Sequence, residues 1–188
     1  MDNDFAYVDV NFLGLPKAIG TAVIETSGGV VLVDPGPSSC LASLESGLAA
    51  RNIRIEDVTD VFLTHIHLDH AGATGTILRR HPRLRVFVHS RGASHLEDPT
   101  KLIASASRFF GAEQMERYWG EIAPVPRDRM VVLDGGERIE GAGRPFDVIY
   151  TPGHASHHVT YLDASSGVAF VGDTGGMRID ASAAMTPA

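Results

Sequence analysis

Three histidines and one aspartate lie close together between residues 64 and 70, where the sequence reads Thr-His-Ile-His-Leu-Asp-His. In extended backbone, side chains two residues apart project to the same side, so His65 and His67 can bind one ion together. Asp69 and His70 follow where the chain turns toward a predicted helix, and they point elsewhere, which suits a second ion nearby. The ion that most often takes mixed imidazole and carboxylate ligands is zinc, with iron and manganese as alternatives. The spacing therefore predicts a metal centre.

Two further polar residues each follow a predicted strand. His154 ends a Thr-Pro-Gly-His turn after one apolar strand, and Asp173 follows Val171-Gly172 after another. Because loops from several strands converge at the strand ends of a sheet, we expect both residues to reach the same site. His154 would be the third imidazole for the first ion. Asp173 would bridge the two ions, since a carboxylate has two oxygens.

Each of these residues also has an ordinary explanation. Asp69 is a suitable N-cap for the next helix, loop histidines are often only solvated, and Pro-Gly-His is a plausible turn. The chain's own composition, however, produces the histidine-rich pattern by chance on the order of once in a thousand such chains. The joint occurrence of the three segments after apolar strands favours the metal centre.

The elements that must position these residues alternate between apolar strands and helical patterns. One helix is predicted from Ser38 or Ser39 to about Arg51, a second over 71–81, and mostly helical structure over an insert at about 90–121. Strands are predicted over 19–26, 30–33, 58–63, 84–89, 130–133, 146–150, 158–162 and 168–171. Their apolar runs are too continuous for half-exposed strands, so we expect an α/β fold with helices packed outside buried sheets.

Composition excludes several classes of protein. The chain has 188 residues, 44% of them hydrophobic, a net charge of −7 and one cysteine. This length suits a single domain over 1–188, and Cys40 has no partner for a disulfide. The acidic balance argues against nucleic acid as a partner, and no apolar run is long enough to span a membrane. The first residues lack the basic flank and apolar stretch of a secretory signal, so we expect a cytoplasmic protein.

The three segments, in this order, resemble the motifs of the metallo-β-lactamase superfamily, and Leu32-Val33-Asp34-Pro35-Gly36 is similar to that superfamily's first motif. The resemblance implies a four-layer αββα sandwich with a dinuclear metal site at one edge. It implies that Asp34 orients a liganding histidine, and it assigns the ligands as follows: His65, His67 and His154 to the first metal, Asp69 and His70 to the second, and Asp173 to both.

The expected activity is metal-dependent hydrolysis of a small ester, thioester or lactone, similar to that of glyoxalase II-like zinc hydrolases. Two divalent ions about 3.5–4 Å apart lower the pKa of a shared water from 15.7 toward about 7, so a metal-bound hydroxide is the nucleophile. Asp69 would be the catalytic residue that orients this hydroxide and accepts its proton. The substrate is a small molecule, and a homodimer is a reasonable assembly.

Two alternatives remain open. The first is an oxidoreductase similar to the persulfide dioxygenases, with a single iron held by two histidines and an aspartate. The second is a metal-binding fragment that is catalytically incomplete, because the superfamily's second metal takes one more histidine well beyond the Gly-Asp motif. Fifteen residues follow Asp173, and none is a histidine. We therefore expect the sandwich without its C-terminal strand and helix portion, with 176–188 as a loop or frayed tail.

Several other residues have weaker claims to the site. His89 and His95 are expected to have surface or packing roles, and either His157 or His158 is expected to hydrogen-bond locally or pack behind the metal ligands. Cys40 has no identifiable partner for chemistry. Aromatic side chains of the insert would shape a substrate pocket if the insert overhangs the metals, and would otherwise form helix core: Phe109, Phe110, Tyr118 and Trp119.

Overall fold

The computed structural model describes residues 5–176, and the tail predicted to be a loop or frayed end lies, from residue 177 on, outside the described residues. A first sheet contains six strands in the order β1 to β6, of which β3 to β6 run parallel. Its strands are β1 (Phe5–Asp9), β2 (Gly20–Thr26), β3 (Gly29–Val33), β4 (Val58–Phe62), β5 (Arg85–His89) and β6 (Met130–Leu133).

The second sheet contains four antiparallel strands in the order β10-β9-β8-β7. They are β7 (Arg138–Gly141), β8 (Arg144–Tyr150), β9 (Val159–Asp163) and β10 (Val168–Phe170). In β8, buried Phe146 and Val148 alternate with less buried neighbours, which is the period of a strand with one face on a core.

Six helices connect the strands: α1 (Leu41–Ala49), α2 (Leu68–Ala71), α3 (Thr74–Arg80), α4 (Ser90–Glu97), α5 (Thr100–Phe110) and α6 (Ala112–Trp119). In α1 the apolar positions Leu41, Leu44 and Leu48 recur at helical spacing and are all buried. They join a core formed with strand residues such as Val61 and Val86, so the helices cover one face of the first sheet.

The other face of the first sheet packs on the second sheet. Phe62 lies at the centre of this inter-sheet core, with its ring centroid 4.7 Å from Phe87, 5.0 Å from Phe146 and 4.6 Å from Tyr161. Within residues 5–176 the layers are therefore helix, sheet and sheet. These are three of the four layers of the predicted αββα sandwich.

Hydrogen bonds join the two sheets at the middle of β4 and just beyond its end. In the middle, the buried Asp60 carboxylate accepts from the Ala142 amide, between β7 and β8, at 2.6 Å, and it also accepts from Arg85 Nε of the neighbouring strand β5 at 2.7 Å. Just after β4, the Val159 amide donates to the Thr64 carbonyl at 2.8 Å, and the buried Tyr161 hydroxyl donates to the Leu63 carbonyl at 2.9 Å. The edge where β3 to β6 end, called the carboxyl edge below, is therefore fixed against the second sheet.

The structure corrects the helix predicted over 71–81. The helix begins earlier, at Leu68, and is divided into α2 and α3 at Gly72 and Ala73. The Ala73 amide donates to the Gly36 carbonyl at 2.8 Å, and a side chain at Gly72 would lie 3.1 Å from the Pro37 Cα. This close packing against the loop after β3 displaces the chain from one continuous helix and places Asp69 and His70 on α2.

Two strands were not predicted, β1 and β7. In β7 only Ile139 is a large apolar residue. β1 is a short run that contains Phe5, Tyr7 and Val8 and pairs antiparallel with β2. Within the part of the chain that is described, no helix is both long and apolar enough to cross a membrane.

Candidate metal centre

The carboxyl edge gathers the side chains that the sequence singles out. Asp34 follows β3 directly, and His65 comes three residues after β4, which is parallel to and paired with β3. The second sheet supplies His154 from the loop after β8 and Asp173 from the 3-10 turn after β10. Parallel strands end at the same edge, and the two sheets are tied together there, so residues distant in sequence meet.

One group of possible ligand atoms comes from three imidazoles. His65, His67 and His154 each offer a nitrogen, and these nitrogens all lie within 4.8 Å of one another. His67 Nδ1 and His154 Nε2 are 2.9 Å apart. His65 is fully buried, whereas the other two are partly exposed, so the group has a closed back and an accessible front.

A second group lies beside the first and shares His65 with it. His65, His70 and Asp173 again offer ligand atoms within 4.8 Å of one another. The two oxygens of Asp173 point in different directions: Oδ1 is 3.1 Å from His70 Nε2, and Oδ2 is 3.4 Å from His154 Nε2. Asp69 Oδ2 is 3.6 Å from His70 Nε2. Asp173 thus faces both groups, and Asp69 borders the second.

Asp34 lies behind both groups as a hydrogen-bond acceptor. Its carboxylate accepts from the Thr64 amide at 2.8 Å and the Thr64 hydroxyl at 2.6 Å, and it contacts His70 Nδ1 at 2.9 Å. Asp34 has a φ of 54°, a left-handed conformation that is costly for a residue other than glycine. The surrounding hydrogen bonds hold it in this conformation.

These hydrogen bonds fix which nitrogen of His65 carries the proton. The Thr64 hydroxyl has one proton and donates it to Asp34, so at its 3.0 Å contact with His65 Nδ1 it accepts. Nδ1 therefore carries the hydrogen, and the lone pair of His65 is on Nε2. This Nε2 is buried and has no hydrogen-bond partner among residues 5–176. A buried acceptor without a partner, aimed at two sets of nitrogen and carboxylate donors, fits a bound divalent metal.

The sequence agrees with this geometry across most of its length. A profile of the Metallo-beta-lactamase superfamily matches residues 20–184. The chain belongs to the metallo-beta-lactamase superfamily. The match includes every residue of both ligand groups.

Two curated relatives share about three in ten residues with this chain over the aligned regions. The chain is 27% identical over 148 residues to a metallo-beta-lactamase fold-containing protein of Sulfurisphaera tokodaii, covering 78% of this chain and 52% of that protein. It is 31% identical over 118 residues to a hydroxyacylglutathione hydrolase of a Synechococcus species, covering 63% of this chain and 35% of that protein. The chain thus spans about half the length of the first relative and about a third of the second.

Solved structures of the superfamily share the fold. A metallo-beta-lactamase family protein of Thermus thermophilus aligns with a TM-score of 0.72 at 26% identity, over 98% of this chain and 62% of that one. The native FEZ-1 metallo-beta-lactamase of Legionella gormanii aligns with a TM-score of 0.66 over 86% of this chain, but at 18% identity, so this likeness concerns the fold alone.

Electrostatics divides the histidines of this superfamily member into two kinds. Burial, reinforced by the neighbouring imidazoles, lowers the pKa of His65 far below its usual range, so that ring is neutral. Burial also lowers the pKa of His70, but Asp34, Asp173 and Asp69 outweigh this effect and raise its pKa well above 6.5. A metal that binds His70 must therefore displace a proton from it.

His158 packs directly behind the ligands, as was expected of it or His157. It is fully buried, its ring centroid is 5.1 Å from that of His65 at an interplanar angle of 28°, and its Nδ1 is 2.9 Å from the Thr151 hydroxyl. There is no room for a side chain at position 172, since a Cβ on Gly172 would lie 2.5 Å from Thr64 Oγ1 and 2.7 Å from His158 Nε2. The absence of a side chain at Gly172 lets the next residue, Asp173, approach His70.

Sequence reasoning missed Thr64 and Gly172. Thr64 is adjacent to the histidine motif, but its role depends on Asp34, thirty residues earlier. The signal in the sequence was the position of Gly172 directly before Asp173, and the structure adds a positive φ of 47° there.

The weaker candidates lie beside the metal groups and not in them. His89 is buried, stacks on Tyr150 at 4.7 Å, and accepts from the Arg91 amide at 3.1 Å. His157 Nδ1 accepts from the Ile66 amide at 3.4 Å, behind His67. His95 is a partly buried residue of α4, and Cys40 is buried at the start of α1.

The insert packs beside the site through Leu68, which precedes Asp69. Leu68 belongs to a small core with Met115 and Trp119, which is the helix-core role considered for the insert. Phe109 is 82% exposed and Phe110 is 37% exposed, with the Phe110 ring 5.0 Å from that of Trp119. The aromatic side chains of the insert do not line the pocket described next.

A pocket of about 310 Å³ opens beside the second group. Its polar wall includes Asp69, His70 and Asp173, and its apolar wall includes Ile19 and Phe170. This volume, with both polar and apolar walls, is within the range typical of small-ligand pockets.

Proposed function

We propose that this chain is a metal-dependent hydrolase that holds two divalent ions, zinc by preference, and cleaves a small ester, thioester or lactone. The observation that carries the proposal is the pair of adjoining ligand groups, which Asp173 faces with both of its oxygens. Carboxylates that face two ions in this way are typical of two-metal hydrolytic sites.

His65 has one lone pair to give, so it serves one ion. We assign it with His67 and His154 to the first ion, because their nitrogens form the all-imidazole group. The second ion then takes His70 and Asp173, with Asp69 as a third ligand, because its Oδ2 lies 3.6 Å from His70 Nε2. Mixed sets of imidazole and carboxylate are suited to zinc, and iron and manganese are the other candidates.

Ions in such a site lower the pKa of a water molecule toward about 7 and polarise a carbonyl group. The remaining work belongs to the side chains. Asp69 has the most exposed of the three carboxylates, with 38% of its side chain accessible against 28% for Asp173 and 10% for Asp34. Asp69 is therefore the residue placed to orient a water molecule and accept its proton as the oxygen attacks the carbonyl carbon.

The remaining atoms balance as in any hydrolysis. The bond between the carbonyl carbon and the leaving oxygen or sulfur breaks, the leaving group takes a proton, and the products are a carboxylic acid and an alcohol or thiol. The relative named hydroxyacylglutathione hydrolase supports a thioester in particular, since its name states hydrolysis of an acyl group carried on the thiol glutathione.

The experiment combines metal content with turnover. Protein loaded with zinc or manganese is assayed with the acetyl thioester of N-acetylcysteamine, with release of thiol as the signal. We expect activity that is lost in His65→Ala and kept in His95→Ala, a control on a partly buried histidine of α4. Two bound ions without hydrolysis of any ester, thioester or lactone would overturn the proposed reaction. One bound iron with oxygen uptake on a persulfide would support the oxidoreductase alternative instead.

A further inference from the structure

We propose that Arg91 binds a carboxylate group of the substrate, so that this site prefers acyl compounds that carry a negative charge. The proposal rests on the proposed hydrolase function and adds a specificity residue to it. Three observations support it: Arg91 lies at the carboxyl edge, its guanidinium lies over the Tyr150 ring, and it has no carboxylate partner in the described part of the chain.

Arg91 lies on the same edge as the metal ligands. It comes two residues after the end of β5, which is parallel to and paired with β4, the strand that leads into His65. The next residue, Gly92, is packed so closely that a Cβ there would lie 2.7 Å from Ile66 Cγ2 and 3.6 Å from His157 Cβ. The first turn of α4 therefore packs directly against the histidine motif.

The guanidinium of Arg91 lies over Tyr150, the last residue of β8, after which the loop that carries His154 begins. Its Cζ lies 5.8 Å from the centroid of the Tyr150 ring, and His89 stacks on the same ring at 4.7 Å. The Tyr150 hydroxyl donates to the Ser156 carbonyl at 3.0 Å, on the far side of His154 in sequence. The arginine thus rests on the residue that anchors both ends of the ligand loop.

Within the described part of the chain, Arg91 differs from most other arginines in having no carboxylate partner. Of the thirteen arginines in residues 5–176, eight form an ion pair with an aspartate or glutamate. The Arg91 side chain is exposed and forms no such pair among these residues. A cation that is held by an aromatic ring but not neutralised retains its attraction for an anion from solution.

A guanidinium that contacts an aromatic ring still has hydrogen-bond donors available. Its N–H groups form a planar fork that matches both oxygens of a carboxylate, and an ammonium group cannot reproduce that match. In this proposal, a substrate whose carbonyl lies at the metal ligands extends past the His154 loop, outside the 310 Å³ pocket, and places a carboxylate on Arg91. This carboxylate belongs either to the acyl part or to the leaving group, and the two positions require different probes.

The test measures binding, so that it does not depend on turnover. Cobalt-loaded protein is titrated with two matched pairs of ligands, and binding is followed by the change in the cobalt spectrum. N-acetylcysteine and N-acetylcysteamine differ by a carboxylate on a thiol and represent the leaving group. Succinohydroxamate and butyrohydroxamate differ by a carboxylate at the end of a four-carbon acyl chain.

Arg91→Ala is expected to weaken the charged member of at least one pair about tenfold, close to 1.4 kcal/mol, and to leave the neutral member unchanged. Arg91→Lys is expected to restore part of the loss, and the preference of the wild type is expected to fall with added salt. Arg83→Ala is the matched control, because Arg83 is exposed just before β5, at the strand's opposite end. It removes the same charge and is expected to change neither pair.

Circular dichroism and cobalt content show whether each variant is folded and loaded, and Arg91→Gln replaces Arg91→Ala if the alanine variant is not. Equal weakening of the charged and neutral members, or no weakening of either pair, overturns the role of Arg91. Absence of turnover with intact Arg91-dependent binding would overturn the proposed hydrolysis and leave this inference standing.

Discussion

Replacement of Asp34 by asparagine is expected to weaken both metal sites, although Asp34 belongs to neither ligand group. The Thr64 amide must donate to the acceptor at the Oδ1 position, 2.8 Å away, so the asparagine oxygen takes that position. The new NH₂ group then takes the position of Oδ2. In the wild-type protein, Oδ2 accepts from the Thr64 hydroxyl at 2.6 Å and contacts His70 Nδ1 at 2.9 Å. A donor replaces an acceptor at that point.

Two changes of tautomer follow. The NH₂ group donates to His70 Nδ1, so the His70 proton moves to Nε2, the atom that faces Asp173. It also donates to the Thr64 hydroxyl, which then turns its own proton toward His65 Nδ1 and moves the His65 proton to Nε2. Loss of a partner that orients a metal-binding histidine typically costs 10- to 100-fold in metal affinity. We expect about that loss at each site, or about 1.4–2.8 kcal/mol.

The assay is equilibrium titration of zinc against a competing chelator, with unfolding in urea as a check on the fold. Asp147→Asn is the control, because Asp147 is 40% exposed and its contact with Arg138 is long, 3.8 Å. Thr64→Val separates the two paths, since it removes only the hydroxyl next to His65 and should weaken the first site more than the second. Unchanged zinc affinity in a folded Asp34→Asn protein would show that the tautomers of His65 and His70 do not depend on Asp34.

Three further predictions concern stability. Gly172→Ala places a Cβ 2.5 Å from Thr64 Oγ1, so it should lower the free energy of unfolding in urea by about 1–3 kcal/mol and weaken binding of the second metal. Gly143→Ala is the control, because Gly143 has a φ of +78° and open space around it, and it should show only the smaller cost of backbone strain. Equal costs for the two variants would contradict this. Burial lowers the pKa of His158 to about 4, so below about pH 6.5 the unfolded chain binds a proton that the folded chain does not. The metal-free protein should therefore lose stability as pH falls from 6.5 to 4, and a folded His158→Gln variant should lose it less steeply. Identical slopes of stability against pH would count against this. Phe62→Ala removes a fully buried ring from the inter-sheet core and should cost about 3–5 kcal/mol in thermal or urea unfolding, and a loss below about 1 kcal/mol would show that the core is packed differently.

The strands that carry the site were predictable from the sequence because their signal is local. The apolar runs over 58–63 and 84–89 correspond to β4 and β5 within one residue at each end. The histidine motif was equally visible, because residue types and spacing that bind metal are rare by chance. In β7, by contrast, Ile139 is the only large apolar residue, so its pairing with β8 is what makes it a strand.

The contacts that support the ligands were not predictable, because they join segments far apart in sequence. The Thr64 hydroxyl accepts from His65 Nδ1 because it donates its own proton to Asp34, thirty residues earlier. The division of the helix at Gly72 depends on the loop after β3. Arg91 had no signal at all, since its position over Tyr150 joins α4 to β8, which are far apart in sequence. Spacing along the chain identifies possible ligands, whereas their protonation and orientation are set by the tertiary structure.

We propose that this chain holds two metal ions with its own side chains at the carboxyl edge. The most direct test is elemental analysis of purified protein that has been loaded with zinc and then dialysed. We expect two zinc ions per chain, with loss of the ion that His65 would bind in His65→Ala and loss of the other in His70→Ala. One ion or none in the folded wild-type protein, or a content that neither substitution changes, would contradict it.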